Sequence, residues 1–107
     1  MKILVQAKDM VVTPAIEQFV NHKVTRSVAK LGQRVLGVRV YLENIARKKN
    51  DPNGSTVKVK VELPGEDIVV EGRSHDSYAA IASAIKAATR RLRKLKDKRI
   101  SKRSVIR

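Results

Sequence analysis

The chain of 107 residues is long enough for one domain with a modest hydrophobic core. Its 24 Lys and Arg against 10 Asp and Glu give a formal net charge of +14 at pH 7, so we expect a polyanionic partner. The absence of Cys excludes a disulfide scaffold, a Cys-based zinc site and a Cys nucleophile. No signal peptide and no apolar run of the ~20 residues that cross a bilayer is found, so we expect a soluble cytoplasmic protein without a membrane partner.

The chain begins with a pattern typical of a strand followed by a helix. Apolar residues alternate from Ile3 to Ala7, which predicts a strand with one buried face. Thr13 and Pro14 then predict a helix start, with Thr as the N-cap and Pro at the first helical position. Gly32 is the expected C-terminal cap of this helix.

The middle of the chain changes to a period of two residues. Alternating apolar residues over 38–42 and 57–63 predict two further strands, each with one apolar face. A fourth strand is predicted from Ile68 to Glu71 or Gly72, after a tight turn. Residues 47–55 are predicted to form a loop, because they contain Asp-Pro and Asn-Gly pairs, and residues 63–67 are predicted to form a tight turn.

The last part of the chain combines an apolar helical stripe with many cations. The stripe consists of residues three and four apart, namely Tyr78, Ile81, Ile85, Ala88, Leu92 and Leu95. Ser74, Asp76 or Ser77 is expected to cap this helix. The periodicity fades beyond Lys98, so we predict a domain over residues 1–98 and a disordered basic tail over 99–107.

These elements define an α+β fold class with the order β-α-β-β-β-α. A four-stranded sheet with one apolar face needs both amphipathic helices packed on that face. The connection from the first strand through the first helix is long enough for a parallel, right-handed crossover. The remaining strands are expected to form antiparallel hairpins.

Catalytic or metal chemistry has little support in the sequence. His22 and His75 lie on different predicted elements without a third ligand at metal-binding spacing. No glycine-rich phosphate loop is present. We therefore expect no enzyme activity, no metal, no cofactor and no small-molecule substrate.

Two rows of cations are the strongest candidates for a functional surface. On the last helix Lys86, Arg90, Lys94 and Lys98 lie four residues apart, and Arg93 flanks them; the first helix adds Lys23, Arg26 and Lys30. Few acids stand at the spacings that would form salt bridges within these helices. If the helices lie side by side, the rows merge into one surface suited to RNA phosphates rather than base edges.

Other cations allow simpler interpretations. The loop at 47–49, Arg-Lys-Lys, either reaches a phosphate or keeps a hairpin soluble. On the open sheet face, cross-strand ion pairs with Glu43, Glu62 and Glu71 account for Arg39, Lys58, Lys60 and Arg73.

The chain resembles one known family over nearly its whole length, and two segments carry the resemblance. The final helix starts with Asp76-Ser-Tyr78-Ala-Ala-Ile81 and continues as Arg90-Arg-Leu92-Arg-Lys94-Leu-Lys96-Asp-Lys98. The first helix starts with Thr13-Pro-Ala-Ile16-Glu-Gln-Phe19-Val20, and Lys23 follows. Both resemble the short form of the ribosome hibernation-promoting factors, also called the ribosome-associated inhibitor or protein Y family.

The resemblance implies a double-stranded-RNA-binding-like fold and a partner, the small ribosomal subunit with its rRNA. It implies a factor that occupies the mRNA/tRNA channel, inhibits translation under stress or in stationary phase, and is monomeric off the ribosome. The residues that match motif positions for rRNA contact are Lys23, Arg26, Arg90, Lys94, Lys96 and Lys98. Two positions depart from the family pattern: Ala82 replaces a frequent acid, and Ala87 replaces a usual Lys.

Two other function classes remain open from the sequence alone. A general structured-RNA-binding or RNA chaperone module would use the same cationic surface on free RNA. An adaptor would use it on an acidic protein or an anionic membrane, although the apolar stripe lacks the Trp and Phe residues that favour interfacial insertion.

Overall fold

The computed structural model describes residues 2–8, 10–28, 35–44 and 54–105, with side chains of the last helix described to Leu95. The elements are β1 (Lys2–Lys8), α1 (Pro14–Ser27), β2 (Gly37–Asn44), β3 (Ser55–Leu63), β4 (Glu66–Ser74) and α2 (Ser77–Val105). The predicted α+β order is confirmed. Helix α2 continues past Lys98, where the sequence pattern predicted its end; the division into a domain and a tail stays a prediction. The predicted cap at Gly32 lies outside the described residues.

Helix α1 begins at the predicted N-cap. The Thr13 Oγ1 atom accepts a hydrogen bond of 3.2 Å from the Ile16 N–H, and Pro14 occupies the first turn, where no backbone donor is needed. Its buried face consists of Ile16, Val20 and Val24, spaced by four residues. These residues direct α1 onto the sheet and leave its basic face outward.

The strands form one mixed sheet in the order β1-β2-β3-β4. Strand β1 pairs in parallel with β2, which agrees with the predicted crossover, and the other two pairs are antiparallel. The β3–β4 hairpin turns through Pro64 and Gly65. The φ of Gly65 is 85°, in the left-handed region that residues with a side chain rarely adopt. Pro followed by Gly is the preferred sequence for such a turn.

One sheet face carries the core, and both helices cover it. The residues fully buried there are mainly aliphatic: Val38, Val40, Leu42, Val57, Val59, Val61, Ile81, Ile85 and Leu92, together with Val20, Val24 and Val28. Helix α2 lies over β3 and β4, whereas α1 contacts β1 and α2. The helices therefore lie beside one another on one face of the sheet, as the sequence predicted.

A glycine allows α2 to approach β4 closely. A Cβ atom at Gly72 would lie 2.7 Å from the Ala80 carbonyl oxygen and 2.8 Å from the Ala84 nitrogen. Ala80, Ala84 and Ala88 are fully buried on this side of the helix. The small side chains and the glycine together set the separation between helix and sheet.

A cap residue and a pair of hydroxyl groups fix the start of α2. Asp76 acts as the cap: its Oδ1 atom accepts from the Tyr78 N–H at 3.3 Å, and its carbonyl accepts from the Ala80 N–H at 2.9 Å. The hydroxyl groups of Ser55 and Ser77 lie 3.1 Å apart and share a hydrogen bond. This second contact joins the beginning of β3 to the beginning of α2.

The opposite sheet face, called the open face below, carries ion pairs instead of helices. The pairs, measured between nitrogen and oxygen, are Arg39–Glu62 at 2.9 Å, Lys60–Asp67 at 3.5 Å and Arg73–Glu71 at 2.9 Å. The cross-strand interpretation is confirmed for Arg39, whose partner Glu62 lies on the neighbouring strand. Lys60 also pairs across strands, but with Asp67. For Arg73 the cross-strand prediction is wrong, because its partner Glu71 lies on the same strand, β4. Because these groups are exposed, each pair contributes only about 0–1 kcal/mol to stability.

Candidate nucleic-acid interface

A cationic cleft of about 390 Å³ lies between the two helices. We call it the interhelix cleft. Its lining residues are Lys23 and Ser27 from α1, and Ala82, Ile85, Lys86, Thr89, Arg90 and Arg93 from α2. No Asp or Glu of the described residues lines it, so its cations attract an anion without a carboxylate competing nearby.

The spacing of residues on each helix explains why these side chains converge. Lys86, Thr89 and Arg93 are three and four residues apart, which places them on one face of α2. Lys23 and Ser27 have the same relation on α1. The buried stripe of α2 fixes the rotation of the helix, and the face next to that stripe turns toward α1.

Lys23 is held at the cleft by an aromatic pair. Its Nζ atom lies 5.6 Å from the centre of the Phe19 ring, within the range of a cation–π interaction. The Phe19 ring meets the Tyr78 ring edge to face, with centroids 5.1 Å apart and an interplanar angle of 88°. Tyr78 lies in the first turn of α2, so this pair joins α1 to α2 at one end of the cleft.

The cleft also contains two hydroxyl groups that the sequence reasoning missed. Thr89, which lines the cleft, donates its hydroxyl proton to the Ile85 carbonyl at 2.8 Å, so its hydroxyl oxygen retains acceptor capacity. Ser27 lines the cleft from α1. Their positions relative to Lys86 and Lys23, at spacings of three and four, were the available sequence signal.

The other side of α2 forms a second cationic groove against β4. Arg90, Arg91 and Lys94 line it together with Ala87, Val69, Val70 and Glu71. It continues past Arg91, Lys94 and Leu95 to Glu66, Asp67 and Ile68. We call it the strand-side groove. It differs from the interhelix cleft because three acids lie within it.

The structure brings together only part of the predicted RNA-binding set. Lys23, Lys86, Arg90 and Arg93 meet at the interhelix cleft, whereas Lys94 lies in the strand-side groove. Arg90 lines both. RNA contact by these residues stays a prediction.

The remaining predicted cations fall elsewhere. Arg26 is exposed in the last turn of α1 and does not line the cleft. Lys30, the side chains of Lys96 and Lys98, and the loop at 47–49 lie outside the described residues. Contact of these cations with RNA therefore stays a prediction.

Other kinds of site find no support in the described part of the chain. Across residues 2–8, 10–28, 35–44 and 54–105, no three His, Cys, Asp or Glu side chains are grouped as metal ligands would be. Within those ranges, no helix combines the length and the apolarity needed to cross a bilayer. The interhelix cleft is the strongest candidate site, because its cations without a neighbouring acid favour an anionic ligand.

Fold and cleft together define a small basic α+β domain with a cationic surface between its two helices. A family model, sigma 54 modulation protein / S30EA ribosomal protein, matches residues 3–100. The chain belongs to this family, and the predicted relationship to ribosome-associated hibernation and modulation factors is confirmed.

Solved structures support the assignment. The chain is similar to the N-terminal domain of Protein Y from Thermus thermophilus, with 25% identity over 89% of this chain and 99% of that chain, at a TM-score of 0.72. It shares its fold with a ribosomal subunit interface protein from Coxiella burnetii, with 18% identity over 91% of this chain and 99% of that chain, at a TM-score of 0.77. No curated protein sequence matches this chain.

Proposed function

We propose that this protein is a non-enzymatic, cytoplasmic factor that binds the small ribosomal subunit in the mRNA/tRNA channel and inhibits translation under stress or in stationary phase. The observation that carries the proposal is the interhelix cleft, where cations of both helices meet without an acid. Family membership supplies the partner, since the family consists of ribosome-associated factors.

The cleft suits the backbone of structured RNA. Arg90 and Arg93 can each bind a phosphate through two parallel hydrogen bonds, and Lys23 and Lys86 add compact charges on either side. No Asn, Gln, Asp or Glu of the described residues lines the cleft to read base edges. On this proposal, recognition by this surface depends on the spacing of phosphates, which is how folded RNA is distinguished by shape.

Inhibition on this proposal requires no chemical step. A chain of 107 residues seated on rRNA in the channel would exclude mRNA and tRNA by occupying their space. The rRNA would also neutralise much of the +14 net charge, whose self-repulsion opposes the compact state in the free protein. The protein is proposed to be monomeric off the ribosome. Arg26, Lys30, Lys96 and Lys98 are proposed to extend the contact beyond the cleft.

The relatives' descriptions agree with this partner. One similar structure is named a ribosomal subunit interface protein, and the other is the N-terminal domain of Protein Y. Location in the small-subunit channel is our proposal for this chain.

A second candidate is a general module for structured RNA. The cleft favours it in one respect, because cations and hydroxyls that contact phosphates would bind any RNA of suitable phosphate spacing. The two functions differ in selectivity, so equal affinity for free duplex RNA and for ribosomes would favour this alternative.

Sedimentation of the purified protein with separated ribosomal subunits, across a salt series, tests the proposal. We expect stoichiometric binding to the small subunit. The logarithm of the binding constant should fall linearly with the logarithm of the salt concentration, with a slope of about 0.7–0.9 for each phosphate that the protein neutralises. The Lys86→Glu/Arg93→Glu variant should bind about 100-fold or more weakly, because two charged contacts become repulsive. A translation assay in parallel should show loss of inhibition by that variant.

Folding of the variant is the necessary control. Both side chains are exposed, so the thermal unfolding midpoint should change little. Equal binding of the wild-type protein to both subunits and to free duplex RNA would contradict the ribosome proposal and support the general module. Full inhibition by the folded double variant would show that the cleft is not the binding surface.

A further inference from the structure

An exposed tyrosine lies in the middle of the open face. Tyr41 is 50% exposed, and strand pairing places Gln6 of β1 and Lys58 of β3 directly beside it. Side chains opposite each other on antiparallel strands have Cβ atoms about 4.5–5.5 Å apart. The ring is therefore bordered by an amide on one side and an ammonium group on the other.

The ion pairs of the open face leave Lys58 available. Its neighbour on β4 is Glu71, whose carboxylate is bound by Arg73 at 2.9 Å. Lys60 is likewise engaged with Asp67. Lys58 is exposed and makes no ion pair with a residue that the structure describes. It is thus the cation beside Tyr41 that can take an external anion.

The surroundings of Tyr41 fit a nucleotide better than a protein surface. Leu4 and Val69 are the other large apolar residues exposed on this face, at 42% and 55%. The register places Arg39 and Lys60 between them, so the apolar side chains do not form one patch. Protein docking surfaces rely on such patches, whereas a single base needs one ring and nearby charge.

We propose that Tyr41 is a stacking platform for one unpaired RNA base. The tyrosine ring would cover the face of the base, Lys58 would bind an adjacent phosphate, and the Gln6 amide would hydrogen-bond a base edge. Pairing and stacking inside a duplex hide the base faces, so the ligand class is single-stranded RNA. The site lies on the sheet face opposite the helices and does not rest on the proposed function.

Tyrosine fluorescence offers a direct test, because the chain has two Tyr and no Trp. In the Tyr78→Phe variant, Tyr41 is the sole emitter, and saturating oligouridylate should quench it strongly. In the Tyr41→Phe variant, emission from Tyr78 should change little, although the phenylalanine ring still allows binding. Tyr41→Leu should weaken oligouridylate binding about fivefold or more, as expected when one base loses its aromatic partner.

Matched variants separate this site from the helix surface. Lys86→Glu/Arg93→Glu lowers the overall attraction for RNA, yet saturating oligouridylate should still quench Tyr41 in that background. Short duplex RNA should leave Tyr41 emission nearly unchanged. Unquenched Tyr41 at saturation, equal quenching of Tyr41 and Tyr78, or unchanged affinity in a folded Tyr41→Leu protein would each overturn the proposal.

Discussion

Both sides of helix α2 carry exposed cations, but their surroundings differ in charge. On the side facing α1, Lys86 and Arg93 line the interhelix cleft, where no acid of the described residues lies. On the side facing β4, Arg91 and Lys94 share the strand-side groove with acids of that strand. A cation near carboxylates is partly neutralised before a ligand arrives, so the first side should bind an anion better.

The two sides also differ in how tightly the helix is held. The strand side lies where Gly72 permits close contact with the helix backbone, whereas the other side opens into a cleft. The close backbone contact is on one side of the helix, and the cations without a neighbouring acid are on the other. Substitutions on the two sides should therefore change different measurements.

The largest effect should come from filling the close approach. In Gly72→Ala, the new Cβ atom meets helix backbone below 3.0 Å, and α2 must move outward. We expect a loss of about 1–3 kcal/mol in the free energy of unfolding, measured by urea denaturation. Val69→Thr is the control, because that side chain is exposed on the same strand and should cost less than about 0.5 kcal/mol. If the Gly72→Ala protein were as stable as the wild-type protein, α2 would have to lie farther from β4 than these distances indicate.

The sharpest comparison uses one substitution at two positions on opposite sides of α2. Arg93→Glu should weaken binding to the small subunit about tenfold, because a charged contact at the cleft is lost. Arg91→Glu makes the same change in net charge, but it faces β4 and should cost no more than about threefold after screening by salt. Affinities from sedimentation at fixed salt measure both. Equal losses would show that total charge, and not the cleft, determines binding.

A smaller effect is expected from the aromatic support of Lys23. Phe19→Leu removes the ring beneath the ammonium group, which is worth about 0.5–1 kcal/mol at an exposed site. Small-subunit affinity should fall about two- to fivefold in the same sedimentation assay. Phe19→Tyr retains a ring and should bind like the wild-type protein. A Phe19→Leu protein of unchanged affinity would show that Lys23 needs no such positioning.

Most of the fold was predictable because the periodicities were clear. The change from a spacing of three and four to a spacing of two located the helices and strands, and Thr13 marked the start of α1. The candidate site was less predictable. The row Lys86, Arg90, Lys94 looked continuous, but each step of four residues rotates by about 40° on a helix with 3.6 residues per turn. That rotation moves Lys94 from the cleft to the strand side.

The sequence pattern also could not predict which residues of different elements would contact one another. By sequence, Ala82 and Ala87 are departures from a family pattern. In the structure, Ala82 lines the interhelix cleft and Ala87 lines the strand-side groove. Ala82 adds no carboxylate to the cleft, which preserves its positive character. The close approach at Gly72 depends on tertiary packing, which no local pattern encodes.

The order of the strands has a consequence for folding. Strands β2, β3 and β4 and helix α2 follow one another in sequence and contact their neighbours, whereas β1 joins the sheet only through a crossover. Contacts between close sequence neighbours form faster, so we expect the β1–α1 unit to dock last. Lys23 lies on that unit and Lys86 does not, so the cleft exists only after docking. A polyanion bound there would selectively stabilise the fully assembled domain over partly folded states.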